Sequence, residues 1–174
     1  MSVPGPSLGI MSSPTASPPG YATVTPWVIS RDTGRLIDFV RDAFGAEELG
    51  RMAGPDGGVG HAEVRIGDSV VMMFDALDGW PDTPAFLRLF VSDADETGRR
   101  AIAAGATPVT EVTGLFFGDR VGRVRDPLGN LWWIQAHVED VDPAELATRP
   151  QAPAAAEALR YVETSLDTTM RGAS

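Results

Sequence analysis

Two histidines are the only imidazoles in this 174-residue chain, and one of them stands close to an acid. His61 precedes Glu63 by two positions in the run GHAEVRIG. Residues two apart on an extended strand share a face, so this imidazole and carboxylate can work as a general acid–base pair or as a hydrogen-bonded orienting pair. The same spacing is equally that of a solvated strand face. Arg88 interrupts the otherwise apolar AFLRLFVSD. A buried arginine needs an anionic or carbonyl partner, which is either a ligand carboxylate or phenolate, or an acid such as Glu63 across a sheet. His137 falls near a strand end beside Glu139 and Asp140 and reads as a satisfied or exposed side chain. Four tryptophans (Trp27, Trp80, Trp132 and Trp133) offer faces for stacking a planar molecule.

What the chain lacks narrows the chemistry further. It has no cysteine, which removes disulfides, zinc–thiolate sites and thiolate nucleophiles. All fourteen basic residues are arginine, so lysine Schiff bases and the phosphate-loop lysine are excluded too. A net charge of −10 argues against nucleic acid as a partner. There is no G-x-S-x-G, H-E-x-x-H, P-loop or G-x-G-x-x-G. No apolar run approaches the roughly 18 residues that span a bilayer, so no membrane partner is expected. Residues 1–20 carry neither the basic nor the apolar region of a secretory signal, and the expectation is a cytoplasmic protein.

The elements that must position these side chains recur in a fixed order. Residues 1–20, rich in Pro, Ser and Gly, read as a disordered tail. ATVTPWVIS is a strand candidate. DTGRLIDFVRDAFG carries Leu36, Ile37, Val40 and Phe44 at helical spacing, with Gly45 placed to stop the helix. After the turn PDGGVG come GHAEVRIG, which alternates strictly, and DSVVMMFDA, which is apolar on both faces. The loop DGWPDTP follows, and then the order repeats: strand AFLRLFVSD, helix ADETGRRAIAAG, and strands in TPVTEVTGLFFG, DRVGRVRD and NLWWIQAHV. Gly45 and Gly105, and likewise Gly67 and Gly129, lie about 60 residues apart. The pattern predicts an α+β fold of two βαβββ modules, residues 21–80 and 81–141. Residues 142–174 form a C-terminal helical extension, with an apolar stripe of Ala155, Leu159, Val162, Leu166 and Met170 that packs on its own domain or on a partner subunit.

VISRDTGRLIDFVRDAFGAEE, GHAEVRIGDSVVMMFD and GDRVGRVRDPLGNLWWIQAHVED together resemble the vicinal oxygen chelate superfamily of glyoxalases, extradiol dioxygenases and bleomycin- and fosfomycin-resistance proteins, and most closely its PhnB-like branch. The resemblance covers roughly residues 22–141 and implies that the two modules form a curved, partly closed mixed sheet around a cavity. In metal-dependent members, each module supplies one ligand from its first strand and one carboxylate from its last. The matching positions here are Thr25, Val71, Phe86 and Trp133. One hydroxyl and three apolar side chains do not suit a divalent transition metal, so no metal or other cofactor is expected.

Strand alternation then sorts the remaining residues. His61, Glu63 and Arg65 oppose a core set of Ala62, Val64 and Ile66. Phe86 and Arg88 share a face, as do Trp133, Gln135 and His137, while Trp132 points to the core. The expected ligand cavity is lined by Thr25, Trp27, His61, Glu63, Val71, Met73, Phe86, Arg88, Trp133 and Gln135, an apolar pocket with few polar groups. The leading function is sequestration of a hydrophobic or aromatic small molecule, as in resistance proteins. The alternative is a metal-independent isomerase, lyase or cyclase of secondary metabolism, with His61 and Glu63 as candidate catalytic groups. A metal-dependent enzyme with displaced ligands and a purely structural module rank behind these. Paired modules of this kind also predict a homodimer.

Overall fold

The computed structural model describes residues 17–18 and 20–172, so the tail expected over residues 1–20 lies almost wholly outside the described residues. The chain runs β1 (Trp27–Ser30), α1 (Thr33–Phe44), β2 (Glu47–Ala53), β3 (Val59–Ile66), β4 (Ser69–Asp75), then β5 (Phe86–Phe90), α2 (Ala94–Ala103), β6 (Thr107–Leu115), β7 (Asp119–Arg125) and β8 (Leu131–His137). The expected duplicated βαβββ unit is present. Each copy builds its own four-stranded mixed sheet, ordered β1-β4-β3-β2 and β5-β8-β7-β6, and the two sheets do not close into a barrel. In both, the first strand runs parallel to the fourth and the rest is an antiparallel meander.

The repeat extends to its hydrogen bonds. Asp32 and Asp93 cap α1 and α2, each accepting a bond from the amide three residues on. Gly45 ends α1 at φ 70°, a left-handed conformation that glycine adopts without a Cβ clash. Phe44 packs on Trp132 of the second module, and the Arg100 guanidinium donates to the Asp42 carbonyl on α1. Through such contacts one core draws on both modules, from Leu36 and Val40 to Trp132 and Ile134. α1 and α2 therefore pack on one side of the sheets; the opposite side is open on the first sheet and partly covered by the C-terminal segment on the second.

β2 was not among the strands drawn from the sequence. EELGRMA has no apolar alternation because the strand is an exposed edge, bulged twice against β3. Beyond β8, the short α3 (Pro143–Leu146) and one 3₁₀ turn lead to α4 (Pro153–Met170). α4 lies along β6 of its own second module. Its Val162 is buried with Leu115 and Val121, and Tyr161 Oη accepts a bond from the Glu111 amide.

Candidate functional site

The outer face of the first sheet gathers most of the chemistry expected of it. β3 alternates as predicted: Ala62, Val64 and Ile66 are buried, whereas His61 and Glu63 are partly exposed on the opposite face. His61 Nε2 lies 3.3 Å from Glu63 Oε1. The Tyr21 hydroxyl donates to the other oxygen of the same carboxylate. That hydroxyl bond, and secondly the imidazole, holds the Glu63 carboxyl below its ordinary pKa, while the carboxylate raises that of Tyr21. Trp27 stands beside His61 with ring centroids 6.0 Å apart, meets Phe74 edge-on at 5.2 Å, and Phe74 in turn meets Trp80 at 6.1 Å. Trp27 is 56% exposed, so this aromatic row opens to solvent.

Two expected members of that face sit elsewhere. Val71 pairs with Val64 and Met73 with Ala62, so both turn into the helix-packed core, where Met73 is fully buried. Direct cross-strand partners share a face, and Glu63 is opposite Met72 instead. The family resemblance assigns Val71 to a ligand position, which puts β4 one residue out of phase, and a strand apolar on both sides offers no alternation to correct it. Thr25 precedes β1, and its hydroxyl donates to the Ala22 carbonyl in a local turn.

The second sheet carries a separate group. Phe86, Arg88 and Phe90 on β5 stand opposite Leu131, Trp133 and Gln135 on β8. Phe86 stacks on Trp133 at 6.4 Å. Arg88 does not reach Glu63; its guanidinium lies over the Trp133 ring, 4.2 Å from the centroid. Arg123 on β7, which the sequence reading left among unremarked strand residues, lies over the same ring at 3.9 Å. Gln135 is buried and donates to Asp119. The other Asp119 oxygen and Asp140 hold the two ring nitrogens of His137 at 2.7 and 2.9 Å, raising its pKa. His137 is thus the satisfied histidine expected. Among the described residues, no hydrogen bond, ion pair or ring contact joins the His61 group to the Arg88 group.

The positions that hold metal in relatives of this fold do not fit one here. Phe86 and Trp133 offer no ligand atom of the kind required, Val71 is core, and the Thr25 hydroxyl is turned to the backbone. No group of three or more His, Cys, Asp or Glu side chains among the described residues is placed to hold a metal ion. Nor is any helix there long and apolar enough to cross a membrane.

Comparison with known proteins agrees with this architecture. The chain is 37% identical over 137 residues to uncharacterised proteins of Mycobacterium bovis and Mycobacterium tuberculosis, a match spanning 71% of this chain and 88% and 79% of theirs. TioX from Micromonospora sp. ML1 is similar in structure at 29% identity and a TM-score of 0.57, over 67% of this chain and 99% of that one. A PhnB protein from Bacillus cereus shares the fold at 17% identity and a TM-score of 0.54, over 66% of this chain and 99% of its own. Residues 20–134 match the model of the Glyoxalase/Bleomycin resistance protein/Dioxygenase superfamily, and the chain belongs to that family.

Proposed function

We propose that this protein binds a hydrophobic or aromatic small molecule on the open face of its first sheet, without a metal ion. The observation that carries this reading is the aromatic row beside His61, in which exposed Trp27 and Trp80 flank a half-buried Phe74. Large aromatic rings left in water as a contiguous patch mark interaction sites, and a planar ligand that stacks on them gains apolar burial and ring contact together. The polar triad of Tyr21, Glu63 and His61 supplies orientation at one end of that row.

A second reading uses the same face. The Tyr21 and His61 bonds hold Glu63 as a carboxylate, which orients His61 to exchange a proton with a bound substrate. The protein is then a metal-independent isomerase, lyase or cyclase. In either case the expected assembly is a homodimer.

Titration with a set of planar aromatic compounds, followed by tryptophan quenching, tests the first reading. Trp27→Leu should weaken the best binder by about tenfold or more, the effect of losing one stacked ring, about 1.4 kcal/mol. If no compound quenches, or Trp27→Leu binds as well as wild type, the proposal fails. Glu63→Gln separates the two readings: sequestration survives it, whereas turnover is lost. A bound Fe, Ni, Mn or Zn in the purified protein would overturn both. Light scattering checks the dimer, and a monomer at micromolar concentration would refute it.

A further inference from the structure

The second sheet contains an electrostatic imbalance that packing alone does not resolve. Arg88, Trp133 and Arg123 stand side by side across β5, β8 and β7 in direct register. Both guanidinium groups lie over one indole ring, at 4.2 and 3.9 Å from its centroid. Arg123 is 3% exposed. Its Nη1 donates to Thr110 Oγ1 at 3.0 Å and to the Val162 carbonyl of α4 at 2.7 Å, both neutral acceptors. Its Nε and the Trp133 Nε1 are buried donors with no acceptor, and the buried Gln135 Oε1 has no donor. Among the described residues neither arginine has a carboxylate partner, whereas eight others take part in ion pairs.

A buried cation with an unsatisfied donor, set beside a second cation, is costly. Burial, and next the charge of Arg88, pushes the Arg123 pKa down. A ring face returns about 0.5–2 kcal/mol per cation, less than a desolvated cation loses. An anion placed against the pair relieves both the repulsion and the missing charge. A guanidinium also binds a carboxylate through two parallel N–H donors. The approach is from β5, where Phe86, Arg88 and Phe90 are exposed and Phe86 extends the indole surface. The opposite flank is closed by α4, whose Val162 and Ala158 pack with Trp133 and Val121.

We propose that Arg88, Trp133 and Arg123 form a receptor for the carboxylate of a small aromatic acid, with Arg88 as the docking cation, held over the indole, and the exposed Phe86 ring beside it as the stacking surface. This site is distinct from the Trp27 face, and it specifies the charge of the ligand. Arg88 makes the direct contact. Arg123 acts from behind the ring, through a charge that nothing nearby neutralises.

The test compares 2-naphthoate with the neutral, equally shaped 2-naphthamide by calorimetry and tryptophan quenching on the full chain. Wild type should prefer the acid by about tenfold or more, the value of one charge-assisted contact over a neutral one, about 1.4 kcal/mol. The preference should shrink as salt is raised. Arg88→Met should bring acid and amide to within about threefold while leaving amide binding intact, about 0.65 kcal/mol of remaining discrimination. Arg123→Met should also reduce the preference. If that variant does not fold, the exposed Arg88 decides the matter alone. Equal binding of acid and amide by wild type, or a preference that survives Arg88→Met, overturns the proposal. Trp27→Leu serves as the separating control. It should leave the acid preference unchanged, so loss of the Trp27 face and loss of this receptor are distinguishable results.

Discussion

Asp126→Asn is the most demanding perturbation of the frame that holds Trp133 in place. Asp126 is 3% exposed, and its two oxygens accept four bonds. Oδ1 takes the amides of Leu128 and Asn130 at 2.8 and 3.0 Å; Oδ2 takes Asn130 Nδ2 and Trp132 Nε1, both at 2.9 Å. Asn130 passes the constraint on, because its Oδ1 accepts the Ala85 amide just before β5. Asparagine has the same shape but replaces one oxygen with an N–H donor. Whichever way the amide turns, two buried donors face a donor. Each stranded group costs about 1–3 kcal/mol, so the pair costs roughly 2–6 kcal/mol, centred near 4. For a chain of this size that lowers Tm by roughly 8–16 °C. Urea unfolding followed by tryptophan fluorescence and far-UV dichroism gives the free energy, provided the two transitions coincide. A loss below about 1 kcal/mol would refute the reasoning, since the carboxylate would then not organise the turn.

Other consequences are as direct. Gly118 has φ 91°, and a Cβ there would lie 2.0 Å from the Glu139 carbonyl oxygen, so Gly118→Ala should cost at least about 3 kcal/mol by chemical denaturation. Gly129→Ala, at φ 95° with nothing within 4 Å, should cost only the left-handed penalty of about 1–2 kcal/mol, and equal losses at the two sites would contradict the structure. The raised pKa of His137, due first to Asp119 and then to Asp140, makes its contribution full below the unfolded value of about 6.5 and lost as pH rises through the folded value. The Tm gap between wild type and His137→Asn should therefore narrow on going from roughly pH 6 to pH 9; a gap that widens would show that the sign is wrong.

Much of this frame was legible because period and punctuation agreed. GHAEVRIG could bury Ala62, Val64 and Ile66 only by presenting His61 and Glu63 on the other side, and it does. Asp32 and Gly45 bracket α1 as their chemistry requires. The failures came where one of the two signals was missing. Val71 and Met73 sit in SVVMMFD, where either face could be the inner one, and only pairing with Val64 and Ala62 decides. Arg123 carried a usable signal. It stands as far before the DPLGN turn as Trp133 stands after it, so the two had to face each other across the hairpin. The resting place of α4 had none, since an apolar stripe says that a helix is covered but not by what.

The short strand β1 has a consequence for how the protein breathes. It consists of four residues and is bonded on one side only, parallel to a partner about 45 residues further along the chain. Closing that span costs loop entropy that the antiparallel β2–β3–β4 meander does not incur. β1 therefore docks after the meander has formed, and its opening is an excursion well short of global unfolding. Trp27 leaves with it while His61 and Glu63 remain on β3. Amide exchange at Val28 and Ile29 thus reports how often the aromatic half of the first face separates from its acid–base half.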